Sequence, residues 1–265
     1  MSEASGRRGP EHSTEDDPLP DRPSNNPKEL LRFLRAALVT PVPRDHSQTD
    51  AQFRRRRIVV ACTLFIGSFL LGYGLTRDPG DTSFYLATAG LAVVWTIGAF
   101  ASGPLHLGWA HTRAGERHAR PVLQPFLLGV FAVTIFCLGA VVVAQFAVLR
   151  DPVNEVLEFA RQAPIALVAS ITLINGIAEE LFFRGAAFAA IGRRHPVTVS
   201  TILYALVTIS TGNLMLVFAA VVLGVMVGLQ RRVTGGVLGP IITHLTWSMS
   251  MLFILPPLIT ALSPM

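Results

Sequence analysis

Lysine is almost absent from this sequence. Lys28 is the only one among 22 basic residues, so arginine supplies nearly all of the positive charge behind the net charge of +5. The arginines are concentrated at the ends of apolar segments, which is typical of membrane proteins rather than of nucleic-acid-binding proteins. We therefore expect no nucleic-acid partner. Scarce lysine beside abundant alanine, valine and arginine also indicates a bacterium with a GC-rich genome.

Cysteine is also scarce, and several familiar motifs are missing. Cys62 and Cys137 are the only cysteines, and both fall within apolar runs. They exclude a disulfide framework and a cysteine metal cluster, and we interpret both as packing residues. No apolar segment follows the amino terminus closely enough to suggest a signal peptide. The sequence has no HExxH metal motif and no internal repeat.

Long apolar runs dominate what is present. Hydrophobic residues make up 51% of the chain, and the mean hydropathy is +0.50. Several runs reach the ~17–25 residues that cross a hydrocarbon core of ~30 Å, and they lack the alternation of a transmembrane barrel. We predict an all-α, polytopic transmembrane bundle with about seven spans, or eight. The predicted spans are 58–75, 84–102, 122–149, 164–191, 197–209, 214–229 and 237–259.

The chain divides into a tail and a bundle. Residues 1–53 are rich in Pro, Ser, Asp and Glu, so we expect a disordered cytoplasmic tail. Within it, residues 28–39 could form an amphipathic helix on the membrane surface or a short helix without a partner. Residues 54–265 would form the bundle, with an interfacial stretch at 151–162. Arginine-rich flanks alternate with arginine-poor ones, which predicts a cytoplasmic amino terminus, an external carboxyl terminus and location in the plasma (inner) membrane.

Ionisable residues within the predicted spans are few: Glu179, Glu180, Arg184 and His244. An unpaired charge at membrane depth costs roughly 2.5–3.5 kcal/mol on insertion scales, so such residues are functional candidates. Glu180 and Arg184 are four residues apart and can form an ion pair on one helix. Glu179 points about 100° away, so it must face a cavity, water or another helix.

His244 lies about eight residues into the last span, or ~12 Å deep, where it could meet Glu179. A carboxylate and an imidazole in one pocket could activate water or hold a metal, which makes Glu179 and His244 weak candidates for metal ligands. The alternative is that these side chains only join helices through hydrogen bonds.

The motifs resemble those of the CPBP intramembrane proteases, a family named for CAAX-protein and bacteriocin processing that includes the Rce1-type prenyl proteases. The resemblance covers a core at about 164–252. The family's EExxxR motif reads here "EELFFR" (179–184). Its second motif, an aromatic residue with a histidine four residues on, corresponds to "STILYALVT", which contains Ser200 and Tyr204. Its HxxxN motif corresponds to "HLTWS" (244–248).

The resemblance implies a role for each matching residue. Glu179 would activate the attacking water, with Glu180 and Arg184 in support, and His244 would polarise water or help to bind a metal. Two positions depart from the pattern: Thr208 stands where the family has a histidine, and Ser248 stands where it has an asparagine. Both are hydroxyls. Threonine is a poor zinc ligand, whereas Ser248 could still donate one hydrogen bond to the oxyanion that the family's asparagine helps to hold. The cofactor therefore stays undecided between zinc, another divalent metal and none. Metalloendopeptidase chemistry stays possible.

Three functions are compatible with this pattern. The resemblance favours an intramembrane endopeptidase that cleaves a CAAX-like or amphipathic peptide near the cytoplasmic leaflet, with membrane lipid and a peptide or protein as partners. A noncatalytic relative that binds a membrane partner or peptide is the second. A carrier or channel is the third, but it would show related halves or charges along a pathway, whereas this sequence has one cluster.

Overall fold

The computed structural model describes residues 31, 38–39, 41–42, 46–78, 80–110 and 119–263. The expected amphipathic helix at 28–39 and most of the expected tail lie outside them. Within these ranges the fold is all-helical, which confirms the predicted class. The helices are α1 (Asp50–Leu75), α2 (Thr82–Ser102), α3 (Leu123–Gln145), α4 (Ala147–Arg161), α5 (Ile165–Ile191), α6 (Pro196–Ile209), α7 (Leu214–Thr234) and α8 (Leu238–Leu262).

Most of these helices can cross a membrane. The six that are long and apolar enough are α1, α2, α3, α5, α7 and α8, whereas α6 is apolar but shorter. Large apolar side chains such as Phe65, Phe69 and Leu138 are exposed on the outside of the bundle. An exterior of this kind is adapted to lipid rather than to water, so the protein is an integral membrane protein whose helices contact lipid.

The third span is shorter than predicted. It was expected to continue to residue 149, but α3 ends at Gln145, and the backbone is extended at Phe146 (φ −116°, ψ 114°) before α4 begins. We attribute the early end of α3 to the charged residues that follow it. Arg150 and Asp151 lie 3.6 Å apart in α4, and Arg150 Nη1 donates to the carbonyl oxygen of Ala144 at 3.3 Å. That bond satisfies one of the free carbonyls at the end of α3.

The first helix begins before the predicted tail boundary at residue 53. Thr49 and Gln52 form a capping box, in which each side chain accepts a hydrogen bond from the other residue's backbone N–H. This arrangement fixes the helix start at Asp50. Upstream, the backbone N–H of Val42 donates to the carbonyl oxygen of Val233 at 2.9 Å, so this part of the predicted tail contacts the bundle.

An aromatic cluster packs α1, α2 and α5 together. Trp95 is 1% exposed and stacks on Phe182 with ring centroids 4.5 Å apart, while Phe183 lies 5.2 Å from Trp95. Gly67 of α1 provides the space, because a Cβ at that position would overlap the Trp95 ring. The cluster places the last part of α5, with its charged residues, in the centre of the bundle.

The middle of α5 is wound more widely than an α-helix. Residues Leu181–Ala187 form a π-helix, which begins immediately after Glu180. Such segments are rare and frequently occur at functional sites, because the extra residue per turn alters side-chain direction and carbonyl pairing. Here Arg231 Nε of α7 donates to the backbone carbonyl oxygen of Arg184 at 2.6 Å. The wide turn is thereby tied to a neighbouring helix.

The segment after α2 pairs with the turn between α7 and α8. The N–H of Trp109 donates to the carbonyl of Thr234, and the N–H groups of Val237 and Leu238 donate to the carbonyls of His106 and Leu107, at 2.9–3.1 Å. Gly236 allows this approach, because a Cβ there would overlap the Leu107 backbone. The pairing holds His106 against the same end of the bundle as Arg231.

Candidate active site

Glu180 is the centre of a buried charged cluster. Its Oε1 lies 3.1 Å from Arg184 Nη1 and 2.8 Å from His244 Nδ1. Glu180 is 0%, Arg184 1% and His244 5% exposed. The contact between Glu180 and Arg184 is the ion pair that their spacing predicted. The guanidinium nitrogens find no hydrogen-bond acceptor among the described residues, so the contact is chiefly electrostatic.

The hydrogen bond between His244 and Glu180 determines which nitrogen of the imidazole carries the proton. A carboxylate that is paired with an arginine can only accept, so His244 Nδ1 is the donor in this bond. The other ring nitrogen, Nε2, is then left for water or substrate. A second residue that sets the tautomer of a histidine in this way is common in catalytic and metal sites.

Glu179 has different surroundings from its neighbour. The phenol of Tyr204 in α6 donates to Glu179 Oε2 at 2.6 Å, and the Glu179 side chain is only partly buried. The Arg184 guanidinium lies 4.8 Å from the centre of the Tyr204 ring, so Tyr204 contacts the ion-paired cluster with its ring and the second carboxylate with its hydroxyl. A neutral donor holds Glu179 in place without cancelling its charge.

The two glutamates of α5 contact different neighbouring helices. Glu180 shares a face of α5 with Gly176, which packs against Leu245 of α8, and this face brings Glu180 to His244. Glu179 is turned toward α6 and Tyr204. The sequence suggested that His244 would meet Glu179. The structure gives the His244 hydrogen bond to Glu180 instead, because Glu180 is the residue on the α8 face.

The two positions that depart from the family pattern differ in their environment. Thr208 is buried, and its hydroxyl donates to the carbonyl oxygen of Tyr204 in its own helix at 2.8 Å. Ser248 lies one turn beyond His244, and its buried Oγ has no hydrogen-bond partner in the described part of the chain. Thr208 is therefore engaged with the backbone, whereas the Ser248 hydroxyl is available.

The residues present do not fit a metal site with three protein ligands. No group of three or more His, Cys, Asp or Glu side chains within the described ranges is placed to hold a metal ion. Catalytic zinc generally uses three such ligands with water as the fourth. At the second-motif position the structure has only the Thr208 hydroxyl, which already donates to a carbonyl.

Two described cavities lie away from the glutamates. One, of about 1280 Å³, lies between α6 and α7, and the other, of about 150 Å³, lies beside Arg56 and His106. Neither is lined by Glu179, Glu180, His244 or Ser248.

Two residues near the glutamates were not among the predicted site residues. Tyr204 was noted only as the aromatic residue of the second motif, and its contact with Glu179 joins two helices, which spacing along one helix cannot show. Asn175 lies one turn before Glu179, and its buried Oδ1 lacks a partner in the described structure. The i, i+4 relation to Glu179 was the available signal for Asn175.

The fold and the cluster define a class: a polytopic membrane protein that buries paired glutamates, an arginine and an imidazole contributed by another span. Residues 161–250 match the family model described as type II CAAX prenyl endopeptidase Rce1-like. The match covers about a third of the chain, includes every residue of the candidate site and confirms the resemblance seen in the motifs. No curated protein and no solved structure matches the chain significantly.

Proposed function

We propose that this protein is an intramembrane endopeptidase in which Glu179 is the general base. The observation that carries the proposal is the difference between the two glutamates. Glu180 is paired with Arg184 and bonded to His244, whereas the Tyr204 hydroxyl is the only hydrogen-bond donor to Glu179 among the described residues. A carboxylate that is positioned but not ion-paired can accept a proton during a reaction.

The proposed chemistry assigns one step to each group. Glu179 takes a proton from a water molecule, and the water oxygen attacks the carbonyl carbon of the scissile peptide bond. Ser248, whose hydroxyl has no partner in the described structure, donates to the developing oxyanion. A donor of this kind is typically worth about 100–1,000-fold in rate. Glu179 then returns the proton to the leaving nitrogen as the C–N bond breaks.

His244, Glu180 and Arg184 support this step. Glu180 holds the imidazole through Nδ1, so that Nε2 can orient the water or the substrate. Because the donor set does not fit a three-ligand metal site, the proposal contains no step through a metal. Cleavage is therefore expected to persist in the presence of chelators.

The substrate and the location follow the family and the charge distribution. The matched family is described as one of CAAX prenyl endopeptidases, so we propose a CAAX-like or amphipathic peptide as the substrate class. The arginine-rich segments at Arg54–Arg57, Arg193–Arg194 and Arg231–Arg232 favour a cytoplasmic amino terminus in the plasma membrane of a bacterium. Cleavage would then occur toward the cytoplasmic leaflet.

The test is cleavage of a quenched-fluorescent prenylated peptide and of an unprenylated amphipathic one by the purified protein in detergent. Glu179→Gln should abolish turnover, because the amide keeps the shape of the side chain and loses the base. Glu155→Gln, which changes an exposed glutamate of α4, is the matched control and should cleave like the wild type. Equal cleavage by the wild type and Glu179→Gln would exclude Glu179 as the base.

A noncatalytic relative is the second candidate, and Thr208 is the observation that favours it. With its hydroxyl donated to the Tyr204 carbonyl, the second-motif position offers no imidazole to the site. This candidate predicts peptide binding without turnover. It also predicts that Thr208→His combined with Ser248→Asn, which restores the family pattern, creates cleavage activity that the wild type lacks.

A further inference from the structure

A small cavity at the arginine-rich end of the bundle is lined by basic groups. It has a volume of about 150 Å³, and its lining includes Arg56 of α1, Arg231 of α7 and the imidazoles of His46 and His106. No carboxylate lines it among the residues that the structure describes. A water molecule takes up about 30 Å³ in the liquid, so the cavity can hold a small polyatomic ion with some of its hydration.

Arg56 is the side chain that points to a ligand. It is 2% exposed, although its neighbours Arg54, Arg55 and Arg57 are exposed. Its Nη2 donates to the carbonyl oxygen of Pro104 at 3.2 Å, but its Nε and Nη1 are buried and have no hydrogen-bond partner among the residues that the structure describes. A buried guanidinium with two unsatisfied donors is unfavourable unless an anion accepts those bonds.

The other lining groups would suit the same ligand. Arg231 is 4% exposed and adds a second positive charge, and its Nε is fixed by the Arg184 carbonyl. His46 and His106 stack with ring centroids 3.8 Å apart. Burial, followed by the charges of Arg231 and Arg56, lowers the pKa of His106, so an arriving anion would favour its protonation.

We propose that this cavity is a binding site for a phosphate-type oxyanion, supplied either as the free ion or as the phosphate of a lipid headgroup. An arginine fork matches the geometry of phosphate oxygens and can donate two parallel bonds to them. The cavity lies at the end of the bundle that carries Arg54–Arg57, where the proposed orientation places lipid headgroups. The proposal does not depend on peptidase activity, because the residues proposed for catalysis do not line the cavity.

The first arm of the test uses inorganic phosphate. The full-length protein in a phosphate-free maltoside detergent is titrated by calorimetry, with thermal melting as a second readout. The wild type should bind phosphate, and Arg56→Gln should bind about tenfold or more weakly, because hydrogen bonds to charged groups are the stronger ones. The matched control is Arg54→Gln, which removes the same charge from an exposed position of α1 and should bind like the wild type.

Arg56→Lys guards against a simple folding defect. It keeps the charge, loses the fork, and should bind phosphate with an affinity between those of the wild type and Arg56→Gln. A pH series with sulfate, whose charge stays constant, adds a readout that belongs to His106. Affinity should rise as the pH falls below about 6.5, the ordinary pKa of histidine, because the pKa of His106 in the free protein is lowered and binding favours the protonated imidazole, which faces Arg56, Arg231 and His46.

The second arm separates the two sources by native mass spectrometry with phosphatidic acid and with diacylglycerol, which lacks the phosphate. If the wild type retains phosphatidic acid but not diacylglycerol, and Arg56→Gln loses phosphatidic acid, the site is assigned to a lipid headgroup. Phosphate binding without lipid retention assigns it to the free ion. The proposal is overturned if the wild type binds neither probe, or if Arg54→Gln and Arg56→Gln weaken binding equally.

Discussion

At the scale of single residues, two adjacent glutamates in one helix have separate tasks because the helix turns between them. Glu180 is fully buried and balanced by Arg184 and His244. Glu179 is partly buried, and within the described part of the chain its one hydrogen-bond donor is the neutral Tyr204 hydroxyl. Removing one partner of a buried ion pair is more damaging than removing both, because the remaining charge is left without compensation. Glu180 should therefore matter for stability and Glu179 for chemistry.

We predict that Glu180→Gln lowers the stability of the folded protein by about 3–5 kcal/mol, because Arg184 then stays buried without a counter-charge. The measurement is the thermal melting of the purified variant in detergent, compared with the wild type. Adding Arg184→Met to Glu180→Gln removes the stranded charge and should recover a part of the loss.

An exposed ion pair on the same protein provides the control for this prediction. Glu158 and Arg161 of α4 lie 3.5 Å apart, with both side chains at least 40% exposed. Glu158→Gln should change stability by no more than about 1 kcal/mol. If Glu158→Gln and Glu180→Gln shift the melting temperature equally, the buried cluster does not stabilise the bundle.

At the scale of helices, close approach depends on small residues facing large ones. Gly67 of α1 meets the Trp95 ring of α2, and Gly98 of α2 meets Thr63 of α1, at distances that leave no room for a methyl group. Dispersion contacts of this kind hold membrane helices together where the hydrophobic effect between them is weak. Trp95 in turn stacks on Phe182 and so positions the helix that carries the glutamates.

We predict that Gly67→Ala destabilises the bundle by about 1–3 kcal/mol, the usual range for overpacking a tight contact. Gly90→Ala is the matched control, because a Cβ at Gly90 of α2 meets open space. That control should be neutral or slightly stabilising, since alanine favours a helix over glycine by up to about 1 kcal/mol. The measurement is the thermal melting of both variants. Equal melting temperatures would show that the contact of Gly67 with Trp95 is not a tight packing contact.

How much of this could be predicted from the sequence depends on the range of each interaction. The apolar runs predicted the helical segments, although not the end of the third one, and the i, i+4 spacing predicted the ion pair of Glu180 and Arg184, because both are local properties. The contact of Tyr204 with Glu179 and that of His244 with Glu180 join different helices, so their register could not be deduced. The π-helix at Leu181–Ala187 could not be predicted either, because Arg231 of α7, a different helix, donates to one of its backbone carbonyls.

Arg56 is an instructive intermediate case. It belongs to the run "RRRR" (54–57) before the first predicted span, where a flanking charge is expected, yet it is buried. The signal was present in the spacing, because Arg56, Val60, Thr63 and Gly67 follow one another at steps of three and four residues and are all buried on one face of α1. The buried face of a membrane helix can therefore include a charged residue. The regular spacing of its small and apolar residues shows which charged residue lies on that face.

At the scale of the whole molecule, the orientation of the bundle depends on one short helix. α6 contains 14 residues, which at 1.5 Å per residue gives about 21 Å, less than the ~30 Å hydrocarbon core. If α6 crosses together with the six longer helices, the chain makes seven crossings, and its two ends lie on opposite sides. If α6 does not cross, the ends lie on the same side. The arginine-rich flanks favour seven crossings.

The scarcity of lysine makes this topology directly measurable. We predict that an amine-reactive, membrane-impermeant reagent labels the wild type in inside-out vesicles and not in intact spheroplasts, because Lys28 and the terminal amine both precede α1. Pro264→Lys places an amine after α8, so this variant should also be labelled in spheroplasts. Arg54→Lys, on the amino-terminal side of the first apolar run, is the control and should add no labelling there. Spheroplasts that leave Pro264→Lys unlabelled, while inside-out vesicles label it more heavily than the wild type, would place both ends on the cytoplasmic side, with α6 entering the bilayer without crossing it.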